Sequence, residues 1–349
     1  MLASGRYILG PEVEAFEREW AAYLRVGYAV GVANGTDALE LALRAAGVGE
    51  GDYVVTAANT VTATVTAIER AGARVALADV EPDRFTLSAD SVARLLDAHR
   101  GLRGRVRAIV PVHLYGMPAD LPGLAFLARE IGAVVIEDCA QAHGARLHGR
   151  EVGSWGTAAA FSFYPTKNLG AIGDGGAVVT GDERLAQRVR SLRQYGWSDR
   201  YVALQPGMNS RLDEMQAAIL RVRLESLEKE TRLRRANARR YLEVLAGIGD
   251  LALPCVPDGA ESVWHQFVVR HTRRDALARH LAERGIGTGI LYPLPIHAQP
   301  AYSERVLVPP DGLPVAERSC REVLCLPVHP FLKRGDVARV VTAIRAFER

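Results

Sequence analysis

Seven short apolar segments, rich in β-branched or small residues, punctuate the first half of the chain. They are Tyr28–Asn34, Tyr53–Ala58, Arg74–Val80, Ala108–Leu114, Ala133–Asp138, Ala158–Tyr164 and Gly176–Thr180. Amphipathic stretches separate several of them, such as Asp37–Ala46 and Ala119–Ile131, with Gly47 and Gly132 placed as C-caps just past their ends. Strands joined through helices pair in parallel, and their helices cover both faces of the sheet. The pattern therefore predicts an α/β fold built on a mostly parallel seven-stranded sheet. From Asn209 to about Leu245 the pattern becomes helical, and the charged run Glu225–Arg235 reads as the solvated face of a long connecting helix. Pro254–Pro257 marks a change of composition. Beyond it, strand-like Gln266–Val269 and helix-like Arg274–Arg284 predict a smaller C-terminal α+β domain.

A length of 349 residues suits about two such domains. Hydrophobic residues at 48% and charged residues at 24% exclude a disordered chain. The 43 basic and 40 acidic residues nearly cancel, so neither a nucleic acid nor an anionic membrane is an expected partner. No apolar run approaches bilayer length, and the polar Ser4-Gly5-Arg6 stretch close behind Met1 predicts no signal peptide. Cys139, Cys255, Cys320 and Cys325 are scattered without CxxC spacing. Reduced thiols in a cytoplasmic enzyme are expected, with no metal site.

Only three of the 43 basic residues are lysine. Lys229 lies in a charged helical run and Lys333 beside Arg334, both ordinary surface settings. Lys167 instead lies between the apolar Ala158–Tyr164 and the glycine-rich Gly170–Gly176. Arginine cannot lose its proton in a protein, whereas a desolvated lysine can become a nucleophilic amine. Read alone, Lys167 is also compatible with a plain loop lysine.

Ligands in open α/β sheets bind beyond the carboxyl ends of the strands, and three motifs fall there. Asn34-Gly35-Thr36 closes the first strand and opens a helix. That geometry suits a phosphate held by free backbone N–H groups, although Asn and Thr are also ordinary capping residues. Asp138 ends the fifth strand, where a carboxylate either caps a loop or holds a cationic heterocycle nitrogen. Ser162 points away from Phe161 and Phe163, as strand periodicity requires, and could offer its hydroxyl to the phosphate at Thr36. A phosphate cradle, an aspartate and an isolated lysine together match pyridoxal 5′-phosphate, whose lysine Schiff base and pyridinium–aspartate pair are its usual protein contacts.

The runs Ser4–Ala21 (SGRYILGPEVEAFEREWA), Asn34–Leu39 (NGTDAL), Glu137–Ala145 (EDCAQAHGA), Phe161–Val178 (FSFYPTKNLGAIGDGGAV) and Asn209–Ala218 (NSRLDEMQAA) resemble the DegT/DnrJ/EryC1/StrS family. Its members are fold-type I, pyridoxal-phosphate-dependent aminotransferases acting on nucleotide-linked keto-sugars. The resemblance covers nearly the whole chain. It implies Lys167 as the Schiff-base lysine, Asp138 as the pyridinium partner and Gln141 near the ring's phenolic oxygen. Gly35, Thr36 and Ser162 would hold the phosphate, with Asn209 reaching in from the second subunit of a homodimer. The large domain would span residues 1–235 and the small one 236–349. L-glutamate and a nucleotide-linked keto-sugar are the implied substrates, with Tyr195, Tyr292 and His297 as candidate substrate contacts; His297 is equally compatible with a structural role.

Two departures stand out. Many relatives place an aromatic ring over the cofactor where Asn59-Thr60-Val61 offers Val61, which covers by apolar contact without stacking. Relatives also carry a further N-terminal helix ahead of the Ser4–Gly10 motif. The runs Tyr164–Ala171, Gly173–Gly176, Arg193–Gly196 and Asn209–Asp213 resemble the enzymes that aminate C3 of dTDP-3-keto-6-deoxyhexoses. A C4 or keto-cyclitol aminotransferase is the nearest rival, and a non-catalytic regulator binding the cofactor or a sugar nucleotide is more remote. Sugar dehydratases of the family replace the lysine or add an iron–sulfur cluster. An NAD-dependent oxidoreductase lacks its fingerprint, because Gly285-x-Gly287-x-Gly289 lies outside the first βαβ unit.

Overall fold

The computed structural model describes residues 4–349. All seven apolar segments form strands: β1 (Tyr28–Val32), β2 (Tyr53–Ala57), β3 (Arg74–Ala78), β4 (Val106–Val110), β5 (Val134–Asp138), β6 (Ala158–Ser162) and β7 (Gly176–Thr180). They make one sheet in the order β1-β7-β6-β5-β4-β2-β3. Only β7 runs against its neighbours; β2 through β6 pair in parallel. Five of the strands stop earlier than their apolar runs do. β4 ends at Val110 because Pro111 has no N–H to donate, and the chain turns at Leu114–Gly116.

Alternation along the strands loads both faces of the sheet. Val30, Ala158, Ala160 and Val178 enter one buried cluster, while Ala29, Ala159, Phe161, Ala177 and Val179 enter the other. The first is covered by α2 (Gly35–Ala45), α3 (Thr62–Arg70), α4 (Ala89–Ala98), α5 (Leu121–Glu130) and α6 (Glu183–Leu192). Gly47 and Gly132 lie just beyond α2 and α5 at φ +87° and +68°, as their capping role predicts. The opposite face is covered by α1 (Pro11–Leu24) and the long α7 (Glu214–Leu245). Glu214 binds these two helices together, accepting the N–H groups of Gly10, Glu12 and Val13 at 2.8, 3.0 and 2.9 Å.

Neither sheet edge is left open. On β1, Glu17 accepts the Gly31 N–H at 2.7 Å, and Arg193, paired with Glu17 at 2.6 Å, donates to the Gly31 carbonyl. On β3, Leu307 exchanges backbone bonds with Val75 and Leu77. Such covers block edge-to-edge pairing between molecules.

The charged run of α7 corrects the expectation of a purely solvated face. Arg223 donates to the Gly170 carbonyl, Arg234 to those of Trp264 and Val328, and Arg235 to that of Ser262. Arginine's long stem and forked head let it reach over a helix surface to carbonyls that sequence spacing does not reveal. The last turns of α7 supply Ala238, Tyr241 and Leu245 to a separate buried cluster, with β8 (Phe267–Arg270), α8 (Arg274–Glu283), β9 (Val323–Leu326) and α10 (Arg334–Phe347). Between them the chain returns to the larger core, where Ile296, Leu313 and Ala316 of α9 (Pro314–Glu322) are buried. Among the described residues no helix is long and apolar enough to cross a membrane.

Candidate functional site

The carboxyl ends of β5 and β6 meet the N-terminus of α2. The fit there is tight: a Cβ added at Gly35 would lie 2.5 Å from the Ser162 Cβ. Asn34 caps the helix by accepting the Asp37 N–H at 2.8 Å, while the amides of Gly35 and Thr36 have no partner within the helix. Three of the predicted phosphate residues thus share one corner, and Phe161 and Phe163 point away from it into the core. Ser162 itself is half-buried, its hydroxyl accepting the Tyr164 N–H at 3.4 Å.

Asp138 is buried at the end of β5. Its carboxylate accepts the Thr64 hydroxyl at 2.9 Å and the Ala140 N–H at 3.1 Å, and Thr64 in turn lies 3.0 Å from the Thr60 hydroxyl. Burial pushes the Asp138 carboxyl above its ordinary range, while these two bonds and the Lys167 charge pull the other way. Such a carboxylate favours a cationic partner delivered to the same pocket. Lys167 is half-buried, whereas Lys229 and Lys333 are exposed. Burial lowers the Lys167 amine from its ordinary value, opposed by Asp138. A buried acid, a partly desolvated amine and a glycine-lined helix terminus fit a phosphate-bearing cationic heterocycle.

Gln141 is committed on both ends. Its Oε1 accepts the Tyr115 N–H at 2.7 Å and its Nε2 donates to the Tyr292 hydroxyl at 3.2 Å, which leaves one N–H available. Tyr292 is thereby tied to the site, with its hydroxyl pushed up to about 12 by burial. Asn209 is exposed, and its neighbour Ser210 anchors the loop by donating to Asp37 at 2.8 Å and accepting the Ala33 N–H at 3.0 Å. Val61 is the N-cap residue of α3, one turn ahead of Thr64. Tyr195 is 41% exposed and packs on Trp197. His297 is engaged by Glu317 at 3.1 Å. Among the described residues no hydrogen bond links Tyr195 or His297 to the Asp138–Gln141 network.

His113, Glu137 and Cys139 lie close enough to resemble a metal site, but their bonding argues otherwise. Glu137 already accepts the N–H groups of Gly153, Trp155 and Gly156 at 2.7, 2.8 and 2.8 Å. His113 Nδ1 accepts the Ala119 N–H at 3.0 Å, so its Nε2 carries the proton donated to Glu137 at 3.1 Å. The imidazole has no lone pair left for a cation, and the cluster instead holds the β5–β6 connection in place. The roles of Thr60, Thr64, Tyr115, Glu137 and His113 carry no clear signature in the sequence. Only the four-residue spacing of Thr60 and Thr64, one helical turn, hinted at a shared face.

The DegT/DnrJ/EryC1/StrS aminotransferase family model matches residues 1–345. The chain is 49% identical over 346 residues to the dTDP-3-amino-3,4,6-trideoxy-alpha-D-glucose transaminase of Streptomyces venezuelae, covering 99% of this chain and 89% of that protein. It is 46% identical to the dTDP-3-amino-3,6-dideoxy-alpha-D-galactopyranose transaminase of Aneurinibacillus thermoaerophilus, covering 99% and 93%. The crystal structure of S. venezuelae DesV in complex with a ketimine intermediate superposes with a TM-score of 0.95 at 48% identity, covering 100% of this chain and 92% of that one. With the lysine, the aspartate and the helix-terminus cradle brought together, the chain belongs to the DegT/DnrJ/EryC1/StrS aminotransferase family.

Proposed function

We propose that this protein uses pyridoxal 5′-phosphate to move an amino group from L-glutamate to a nucleotide-linked keto-sugar, a dTDP-3-keto-6-deoxyhexose. The observation that carries the reading is the pairing of half-buried Lys167 with buried Asp138 beside the Gly35–Ser162 cradle. When bound, the cofactor supplies an electron sink for the donor's Cα. Gly35, Thr36 and Ser162 would hold its phosphate, and Asp138 would keep its ring nitrogen protonated. With the cofactor bound, the freed Lys167 amine would take the proton from the donor's Cα and return it on the far side of the transfer. Glutamate leaves as 2-oxoglutarate, and the same residues work in reverse on the sugar ketone, so no external oxidant or reductant is needed.

The choice of C3 rests on the Tyr164–Ala171 and Gly173–Gly176 runs and on relatives named for 3-amino sugars. A coupled assay with L-glutamate and a panel of dTDP-3-keto and dTDP-4-keto sugars tests it. Activity is expected on a 3-keto-6-deoxyhexose and little on its 4-keto isomer; a C4 amine as product would reverse the assignment.

Gly35→Ala is expected to force α2 and Ser162 apart. Losing about one hydrogen bond to a charged phosphate costs roughly 1.5–3 kcal/mol, or roughly 10- to 150-fold in cofactor affinity. Titrating the apoprotein with pyridoxal 5′-phosphate measures the loss, and unchanged affinity would remove Gly35 from the cradle.

We also propose a homodimer in which Asn209 completes the partner's phosphate site. Its exposure on a loop that Ser210 pins beside α2 supports this reading. Mixing inactive Lys167→Ala chains with Asn209-defective chains should restore some activity, since half the sites in each mixed dimer would carry neither defect. Demonstrated subunit exchange without recovery would refute the shared site. The division into domains at residues 235 and 236 is proposed from the separate cluster that begins at Ala238. Four unpaired cysteines support a reducing, cytoplasmic setting.

A further inference from the structure

The residue after the lysine is held from across the molecule. Asn168 is buried, and its Nδ2 donates to the Val263 carbonyl at 3.2 Å. Its Oδ1 therefore faces His265 Nδ1, also at 3.2 Å. An amide oxygen only accepts, so His265 must carry its proton on Nδ1 and donate. Val263, the backbone of Trp264 and His265 form a strap that is itself fixed at several points. Val263 N–H donates to the Gly116 carbonyl at 3.1 Å, the Ser262 hydroxyl to the same carbonyl at 3.1 Å, and Gln266 N–H to Tyr115 at 3.2 Å. Tyr115 is the residue whose N–H Gln141 accepts. Contact at Gly116 is close, for a Cβ there would lie 2.7 Å from the Val263 Cγ2 and 3.1 Å from the Gln141 carbonyl. The strap therefore joins the two walls of the site, Gln141 on one side and the Lys167 loop on the other.

We propose that His265 and Asn168 are positioning residues, a clamp that fixes the backbone on the C-terminal side of Lys167 so that its side chain alone moves during proton transfer. The inference rests on Lys167 being the reacting amine. Lys167 must serve first as the cofactor's anchor and then as the mobile base. A displacement of about 1 Å in such a group costs on the order of 10²-fold in rate. On its N-terminal side the loop is closed locally, by the Lys167 N–H to the Tyr164 carbonyl at 2.8 Å. On the other side Asn168 is the first side-chain tie after Lys167, ahead of the bond from Arg223 to the Gly170 carbonyl. The groups that the Lys167 charge reaches are Asp138 from β5, His143 from the turn after it and His265 from the strap. Both imidazoles are buried and held neutral, that of His143 pushed down to about 3, so neither adds a competing charge.

The test uses the holoenzyme for rates and the same chain stripped of cofactor for amine reactivity. His265→Phe keeps the ring and removes the donor, whereas His265→Asn returns an N–H near the Nδ1 position. Single-turnover rates with L-glutamate are expected to fall roughly 10- to 100-fold in His265→Phe, with the glutamate KM within about threefold of the parent. In the apo chain, modification of Lys167 by trinitrobenzenesulfonate, read by mass spectrometry across pH, should shift to higher pH as water reaches the loosened amine. His265→Asn should recover most of both changes. Asn168→Ala should reproduce His265→Phe, and the double variant should add nothing further. Should His265→Phe fail to fold, Asn168→Ala carries the same readouts from the other end of the bond. Parental rate and labelling profile in these variants would overturn the clamp, as would equal losses in His265→Asn and His265→Phe. If Lys167 in the parent chain labels no more readily than Lys229 and Lys333, the assignment of Lys167 itself falls, and the clamp with it.

Discussion

Lys167→Arg is expected to lower amino transfer by about 10⁴-fold or more, the range spanned by a lost general base with its nucleophilic role removed as well. Charge is kept and the half-buried setting accommodates a long side chain, so folding should survive. What is lost is the neutral amine. The parent lysine is lowered by burial from its ordinary value, so more of it is unprotonated at a given pH than of an exposed lysine. Guanidinium stays protonated throughout the accessible range. The expected signature is a folded chain with no glutamate-dependent 2-oxoglutarate release, measured at several pH values. Turnover rising with pH in the arginine variant would place the base elsewhere.

Asp138→Asn should be nearly as severe. The carboxylate is buried and accepts from Thr64 and Ala140 on different oxygens. An amide of the same shape can keep the Ala140 N–H on its oxygen and turn its NH2 to the Thr64 hydroxyl, which accepts in place of donating. It cannot hold a proton on the cofactor's ring nitrogen. Breaking a buried charge pair typically costs about 3–5 kcal/mol, which is roughly two to four orders of magnitude in rate at 1.36 kcal/mol per tenfold. Cofactor should still load, because the phosphate cradle at Gly35 and the amine at Lys167 are untouched. A variant that loads cofactor and turns over at the parental rate would reduce Asp138 to a strand-end cap.

These two residues were legible because each is tied to a strong local pattern. Asp138 closes an apolar run that can only be a buried strand, and Lys167 is one of three lysines in an arginine-rich chain. Gly35 and Ser162 followed from strand ends and a helix start, but their contact depends on β7 lying between β1 and β6. The arginines of α7 were misread for the opposite reason. A charged run looks solvated at any helical period, and nothing local shows that Arg234 and Arg235 face the carbonyls of Trp264 and Ser262. His297 was open between a substrate contact and a structural role, and the structure adds its bond to Glu317.

Periodicity, caps and residue chemistry along the chain were enough for the α/β class, the seven strands and the selection of Lys167 and Asp138 as candidates, since these depend on interactions over a few residues. Strand order, the antiparallel β7, the Thr64 bond to Asp138 and the Asn168–His265 contact belong to the tertiary structure alone. Asp138 and Thr64 are 74 residues apart, and Asn168 and His265 are 97 apart. Hydrogen bonds across such separations leave no period in the sequence, because the intervening chain is free to close the loop in many ways at little difference in entropy. Packing of the whole sheet and its strap selects the one closure in which both bonds form.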